Sequence, residues 1–213
     1  MRPLCWCGQQ DRRGPGLWEY RPLSSARFVD GVQAKRQAGS TLKPFLYGLV
    51  FEKRILTPAS FIDDAPLDVP ASNGLYRPEN YDWTFRGLVS ARTALASSLN
   101  IPAVKVLNLV GVEAFVQKLR DLGIDDLQTA DFYGSSLALG AADVTLWELV
   151  NAYRTLANGG LWSPLQMTFE AVPEAPTRRA LTVDAAFLIA DVLSDRESRS
   201  ETFHLESPLS TRY

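Results

Sequence analysis

The chain has 213 residues, 46% of them hydrophobic and 22% charged, with a formal net charge of -2. That is the composition of an ordinary globular chain with room for a real core, and its near-neutral balance gives no electrostatic footprint for nucleic acid or an anionic membrane. No run of about 18 apolar residues could span a bilayer, and Met1 to Tyr20 places Arg2, Arg12 and Arg13 where a secretory signal would be apolar.

Residues 1 to about 23 are rich in Gly, Arg and Pro and show no periodicity, so they read as a leader and the domain is expected over 24–213. Cys5 and Cys7 lie in that leader. One intervening residue suits neither a structural disulfide nor zinc, so no compartment follows from the cysteines. Patterning begins near Leu23-Ser24-Ser25-Ala26-Arg27-Phe28-Val29 and leads to Arg36-Gln37-Ala38-Gly39-Ser40-Thr41-Leu42-Lys43-Pro44-Phe45. From Leu42 the spacing of Leu42, Phe45, Leu46, Leu49 and Val50 predicts one apolar face of a helix ending near Arg54. Ser40, Lys43 and Tyr47 fall together on another face. Pro44 is tolerated only where its missing N–H has no helical partner, which places Ser40 within the first turn.

A serine hydroxyl needs a base to become a nucleophile, and a lysine one turn along supplies one if burial or a nearby cation lowers its pKa. Alone, Ser-x-x-Lys fits a helix-capping serine as well. The one histidine, His204, sits in Glu201-Thr202-Phe203-His204-Leu205-Glu206 with no support for a Ser-His-Asp site, which favours a lysine base.

Residues 57–82 are dense in Pro, Asp, Asn and Gly and read as loop, with room for a short strand around Pro66 to Val69. A helix is expected from Phe85 or Arg86 through Ser97, with Leu88, Ala91 and Leu95 inward. Pro102 opens the next helix, through Leu109, and Gly111 closes it. Val112, Phe115, Val116 and Leu119 mark an amphipathic helix that Gly123 ends. After Asp143 a helix is expected with Leu146, Leu149, Val150, Tyr153, Leu156 and Ala157 on its inward face, stopped by Asn158-Gly159-Gly160. The last runs from Thr182 as N-cap with Val183, Ala186, Phe187, Ala190 and Leu193 inward.

Ser98-Leu99-Asn100 is a Ser-x-Asn between two of these helices, and by itself could be no more than a helix-terminating turn. The ordered set carries more. The Ser40 segment resembles the first active-site motif of class A penicillin-binding proteins, the bifunctional peptidoglycan synthases. Tyr76-Arg77-Pro78-Glu79-Asn80-Tyr81-Asp82 and Ala94-Leu95-Ala96-Ser97-Ser98-Leu99-Asn100-Ile101-Pro102-Ala103-Val104 are similar to the stretch around their second. Ser136-Leu137-Ala138-Leu139-Gly140, Val144-Thr145-Leu146-Trp147-Glu148-Leu149, and Ala152-Tyr153 through Ala157-Asn158-Gly159-Gly160 are similar to a third, structural signature. The wording is nearest the penicillin-binding protein 1C subgroup.

The resemblance implies an α+β fold of the serine β-lactamase/D,D-transpeptidase type, with this chain mostly its helical part. It implies acyl transfer on D-Ala-D-Ala stem peptides of peptidoglycan, imitated by β-lactams, at the periplasmic face of the bacterial cytoplasmic membrane. Ser40 would be the nucleophile, Lys43 its base, Ser98 a proton relay, Asn100 a ligand for the substrate amide, and the Ser40 N–H one oxyanion donor; no cofactor is implied. The sequence departs from the family in two ways. No glycosyltransferase domain or membrane anchor precedes the match. None of Lys35, Lys43, Lys53, Lys105 and Lys118 is followed by the Thr-Gly or Ser-Gly of the third catalytic motif, which the resemblance puts just after Glu206-Ser207-Pro208-Leu209-Ser210. The expectation is a fragment of little or no catalytic competence, whose Ser40 helix lacks much of the sheet it should pack on. The alternatives are a non-catalytic remnant that at most binds wall peptide, or a D,D-carboxypeptidase or β-lactamase relative.

Overall fold

The computed structural model describes residues 29–71, 74–166 and 176–205. The leader with Cys5 and Cys7, most of the Leu23–Val29 stretch and the segment 206–213 lie outside the described residues. The helices are α1 Lys43–Glu52, α2 Ala91–Ala96, α3 Asn100–Val110, α4 Val112–Asp121, α5 Ala130–Tyr133, α6 Leu146–Ala157, α7 Val183–Ser194 and α8 Ser200–Phe203. The strands are β1 Arg36–Gln37, β2 Phe61–Asp64, β3 Val69–Ala71, β4 Gly74–Tyr76, β5 Gly87–Ser90, β6 Asp143–Val144, β7 Leu161–Trp162 and β8 Arg178–Arg179. They pair antiparallel, two by two: β1 with β6, β2 with β5, β3 with β4 and β7 with β8.

α1 is the hub. Between Lys43 and Glu52 its sequence has no charge, and every residue from Lys43 to Phe51 is buried. The one-faced packing read from the apolar spacing is therefore too modest. α2, α3, α4 and α7 pack round the helix within the described residues, and its burial does not wait on a sheet, contrary to the sequence expectation. Gly48 lets α7 approach closely, because a Cβ there would stand 3.3 Å from Leu181 and 3.7 Å from Ile189. Polar ties lock the ring of helices. Glu52 takes a 2.6 Å hydrogen bond from Lys118 of α4 and a 2.9 Å one from the Thr182 N–H, just before α7. Arg92 of α2 pairs with Asp191 of α7 and, at 3.1 Å, with Asp195.

Several helices start and stop where local chemistry says. Pro102 sits in the first turn of α3, Gly111 ends it, and Gly123 follows α4. Thr145 and Glu148 close a reciprocal capping box on α6, and Thr182 caps α7 by accepting from the Ala185 N–H.

Other expectations give way. The helix read from residue 85 or 86 is a strand followed by a short helix. Gly87 is left-handed at φ 68, β5 pairs with β2, and Ser90 begins α2 by accepting from the Thr93 N–H. Leu88 is thereby 71% exposed instead of inward. The loop-rich stretch holds β2, β3 and β4 where one short strand was expected. The helix after Asp143 forms as expected, but Asn151, Ala152, Thr155 and Leu156 are its buried residues, while Leu146 and Val150 are about half exposed. Its buried polar groups are satisfied: Asn151 Nδ2 donates to Ser163 O and Thr155 Oγ1 to Asn151 O. α7 is likewise turned, burying Ala185, Ala186, Ile189 and Val192 and exposing Val183 and Phe187.

What positions Ser40 is a clasp between two backbone segments. β1 pairs with β6, the Ala38 N–H donates to Ala142 O at 2.9 Å, and the Gly39 N–H donates to Gly140 O at 3.0 Å. Gly140 is left-handed at φ 79, and a Cβ on it would fall 1.9 Å from Gly39 O. Gly140→Ala is therefore expected to destabilise the fold by about 2–4 kcal/mol, measured by chemical denaturation. Wild-type stability in that variant would show that the clasp does not hold the Ser40 turn.

Candidate active site

Ser40 lies in a single 3-10 turn, Gly39–Leu42, that runs straight into α1. Gly39, left-handed at φ 58, turns the chain in. Thr41 Oγ1 donates to Ala38 O at 2.6 Å, and the Tyr153 hydroxyl donates to Thr41 O at 3.0 Å, so α6 buttresses the turn from outside. The turn separates two neighbouring functional groups: Ser40 is exposed, while Lys43 is 1% exposed.

Inside, the Lys43 ammonium finds an acceptor for each of its N–H donors. Nζ donates to Ser98 O at 2.6 Å, to Asn100 Oδ1 at 2.7 Å and to Ser98 Oγ at 3.2 Å. None of these partners carries a charge. Burial therefore dominates and lowers the Lys43 pKa from 10.5 to about 7. Three of the four sequence-predicted residues thus meet around one nitrogen. The fourth, Ser40, accepts the Lys43 backbone N–H through its carbonyl, while its hydroxyl makes no hydrogen bond with any described residue. Tyr47, on the same helix, is fully buried with no hydrogen-bond partner for its hydroxyl among the described residues, and burial with Asp64 nearby pushes its pKa far up. His204 is exposed beyond α8 and takes no part.

The α2–α3 junction presents Ser98 and Asn100 through an unusual backbone. Ser98 is left-handed at φ 56, with its N–H on Leu95 O and the Leu99 N–H on Ala94 O. This is the helix-ending motif that glycine normally completes, and a side chain there costs about 1–2 kcal/mol. The serine at that place turns both its carbonyl and its hydroxyl to Lys43.

Two residues escaped the sequence reading as site components. Asn80 Oδ1 accepts from the Asn100 backbone N–H at 2.9 Å, and both Asp64 oxygens accept from Asn80 Nδ2 at 2.9 Å. Asn80 stood within the Tyr76–Asp82 block, but nothing in its spacing links it to Asp64. Among the described residues no group of His, Cys, Asp and Glu is placed to hold a metal, and no helix is long and apolar enough to cross a membrane.

Comparison with known proteins gives the family of the chain. The family described as penicillin binding protein transpeptidase domain matches residues 20–206. Penicillin-binding protein 1C of Escherichia coli (strain K12) is 37% identical over 198 residues, covering 92% of this chain and 24% of that protein. Penicillin-binding protein 1A of Neisseria meningitidis (strain DSM 15465 / Z2491) is 35% identical over 140 residues, covering 64% of this chain and 17% of that protein. The chain thus spans a quarter or less of the length of these relatives. The crystal structure of penicillin-binding protein 1A from Haemophilus influenzae matches with a TM-score of 0.66 and 25% identity, over 77% of this chain and 30% of that one. The transpeptidase domain of Burkholderia pseudomallei penicillin-binding protein 3 matches with a TM-score of 0.66 at 17% identity, over 76% and 54%, a likeness of fold.

Because the folded pKa of Lys43 lies below its ordinary 10.5, the unfolded chain holds the extra proton between about pH 7 and 10.5. The contribution of this group to stability therefore rises with pH through that window. An NMR titration of 13C-labelled lysine side chains is expected to give Lys43 a midpoint near 7. A midpoint above about 9, close to a solvated amine, would contradict the buried site.

Proposed function

Since this chain belongs to the penicillin-binding protein transpeptidase family, we propose that Ser40, Lys43, Ser98 and Asn100 are the acyl-transfer residues of a peptidoglycan D,D-transpeptidase site. The observation that carries the reading is the buried Lys43 ammonium, held by Ser98 and Asn100 one helical turn from an exposed Ser40.

In the proposed reaction Ser40 Oγ attacks the carbonyl between the two D-Ala residues of a stem peptide. Its proton passes to Lys43, the acyl–Ser40 bond forms, and the departing D-Ala amine takes a proton back. An amine of a neighbouring stem then displaces Ser40, and a β-lactam stops at the acyl stage. A lysine poised near neutrality suits this work, because both its protonation states are populated at the working pH.

The hydrogen bonds suggest how the neutral amine is accommodated. Deprotonated Nζ has one donor fewer and a lone pair, so one partner must become a donor. Ser98 O and Asn100 Oδ1 only accept. Ser98 Oγ, the longest contact at 3.2 Å, can reverse. That makes Ser98 the natural proton relay between Lys43 and the departing amine. Asn100, its Oδ1 on Lys43, is the polar group beside the relay and is assigned to the substrate amide. The N–H of Ser40, without a partner among the described residues at the start of a helical turn, is assigned to the developing oxyanion. The setting proposed for this chemistry is the periplasmic face of the bacterial cytoplasmic membrane.

Whatever label a fluorescent penicillin leaves on the chain after denaturation, however little, is expected on Ser40 and to disappear in Ser40→Ala. Lys43→Ala is expected to slow labelling on the order of 10²–10⁴-fold while the helical content persists. Tandem mass spectrometry of the digest locates the label. Finding it on Ser98 or Ser136, or finding Lys43→Ala as fast as the parent, would overturn the assignment.

A further inference from the structure

The contacts that hold Asn100 against Lys43 begin outside the Ser-x-x-Lys and Ser-x-Asn motifs. Asn100 is the first residue of α3, and Leu99 before it offers no capping side chain. The first-turn N–H of Asn100 would be an orphan donor. Asn80, 20 residues upstream, caps it instead by accepting at 2.9 Å. The same loop supplies Glu79 O, which takes the Asn100 Nδ2 hydrogen bond at 2.7 Å. Asn100 is thus fixed through its backbone by Asn80 and through its amide by Glu79, leaving Oδ1 aimed at Lys43.

The cap works only in one orientation of the Asn80 amide. Flipped, it would set an NH2 group against the Asn100 N–H, donor to donor. Asp64 forbids the flip, because a carboxylate only accepts, and both its oxygens stand 2.9 Å from Asn80 Nδ2. Thr84 O, also at 2.9 Å, is a third acceptor on the same side. Asp64 is itself fully buried at the end of β2, and the Arg86 N–H holds it at 3.0 Å. A buried carboxylate is costly unless several donors converge on it, and here their convergence sets an amide's direction.

We propose that Asn80, oriented by Asp64, is a positioning residue for the Ser40 site: it caps α3 so that Ser98 O and Asn100 Oδ1 stay on Lys43 Nζ. Ser98 and Asn100 are two residues apart at one helix start, so a shift of that start moves both acceptors at once. The inference rests on the transpeptidase reading for its consequence, though not for its geometry. A misplacement of about 1 Å in such a constellation costs on the order of 10²-fold in rate.

The test uses the full 213-residue chain, with benzylpenicillin as probe, at a temperature where circular dichroism shows every variant folded. Asn80→Ala is compared with Leu156→Ala, a buried change on α6, which touches the Ser40 turn but not Lys43 Nζ. The readouts are the rate of Ser40 acylation and the Lys43 titration followed by NMR. Asn80→Ala is expected to slow acylation on the order of 10²-fold and to displace the Lys43 titration, while Leu156→Ala leaves that titration where it is. Asn80→Asp alone sets two carboxylates face to face and is expected to be at least as impaired. Combining it with Asp64→Asn restores a donor between the pair and an acceptor toward the Asn100 N–H, so most of the lost rate should return. An unmoved Lys43 titration in Asn80→Ala, or equal effects of Asn80→Ala and Leu156→Ala on that titration, would overturn the proposal. If the parent chain takes no label on Ser40, which the missing Lys-Thr-Gly motif alone accounts for, the Lys43 titration by itself decides the role of Asn80.

Discussion

A lysine ammonium sealed inside an apolar interior survives only if each of its donors meets an acceptor, because desolvation alone would cost several kcal/mol. Lys43 meets that condition through Ser98 O, Ser98 Oγ and Asn100 Oδ1, and much of the molecule serves it. α1 must be enclosed by α2, α3, α4 and α7 to bury the ammonium. The α2–α3 junction must take a left-handed serine to turn two oxygens inward. The same bonds tie the central helix to the junction 55 and 57 residues further along the chain. The group that these bonds surround is thus also the one whose pKa burial brings near neutrality.

Exposure of Ser40 beside the burial of Lys43 follows from the tight 3-10 turn between them. One side of that turn is clasped by backbone bonds from Gly140 and Ala142, the other buttressed by Tyr153. Segments remote in sequence therefore hold a group that needs freedom of approach but not freedom of position. Gly140 is indispensable for a steric reason, since the backbone at Gly39 occupies the space of any Cβ. The block Ser136–Gly140, conspicuous in the sequence without evident chemistry, acquires its meaning from that contact.

Around this centre the fold tolerates polar burial where partners exist and leaves apolar groups outside where none do. Asn151 and Thr155 of α6 are inside because Ser163 O and Asn151 O accept from them. Leu146, Val150, Val183 and Phe187 remain substantially exposed on α6 and α7. Hydrophobicity summed along a helix thus did not decide its orientation; α7 is tied to its neighbours by Thr182 on Glu52 and Asp191 on Arg92.

What the sequence determined by itself was a set of features that act within about one helical turn. The Ser40–Lys43 spacing, the Thr182 cap, and the glycines at 111 and 123 are local, so the residues that set them are adjacent in the text. The ordered motif blocks similarly sufficed to reach the family. Only the tertiary structure decided which face of α6 and α7 is buried, that Gly87–Ser90 is a strand paired with Phe61–Asp64, and that α1 is enclosed on all sides. It alone joined Asp64 to Asn80 and Asn80 to Asn100, across separations of 16 and 20 residues. Burial and long-range hydrogen bonds depend on which elements come to lie side by side, and no single stretch of chain carries that information.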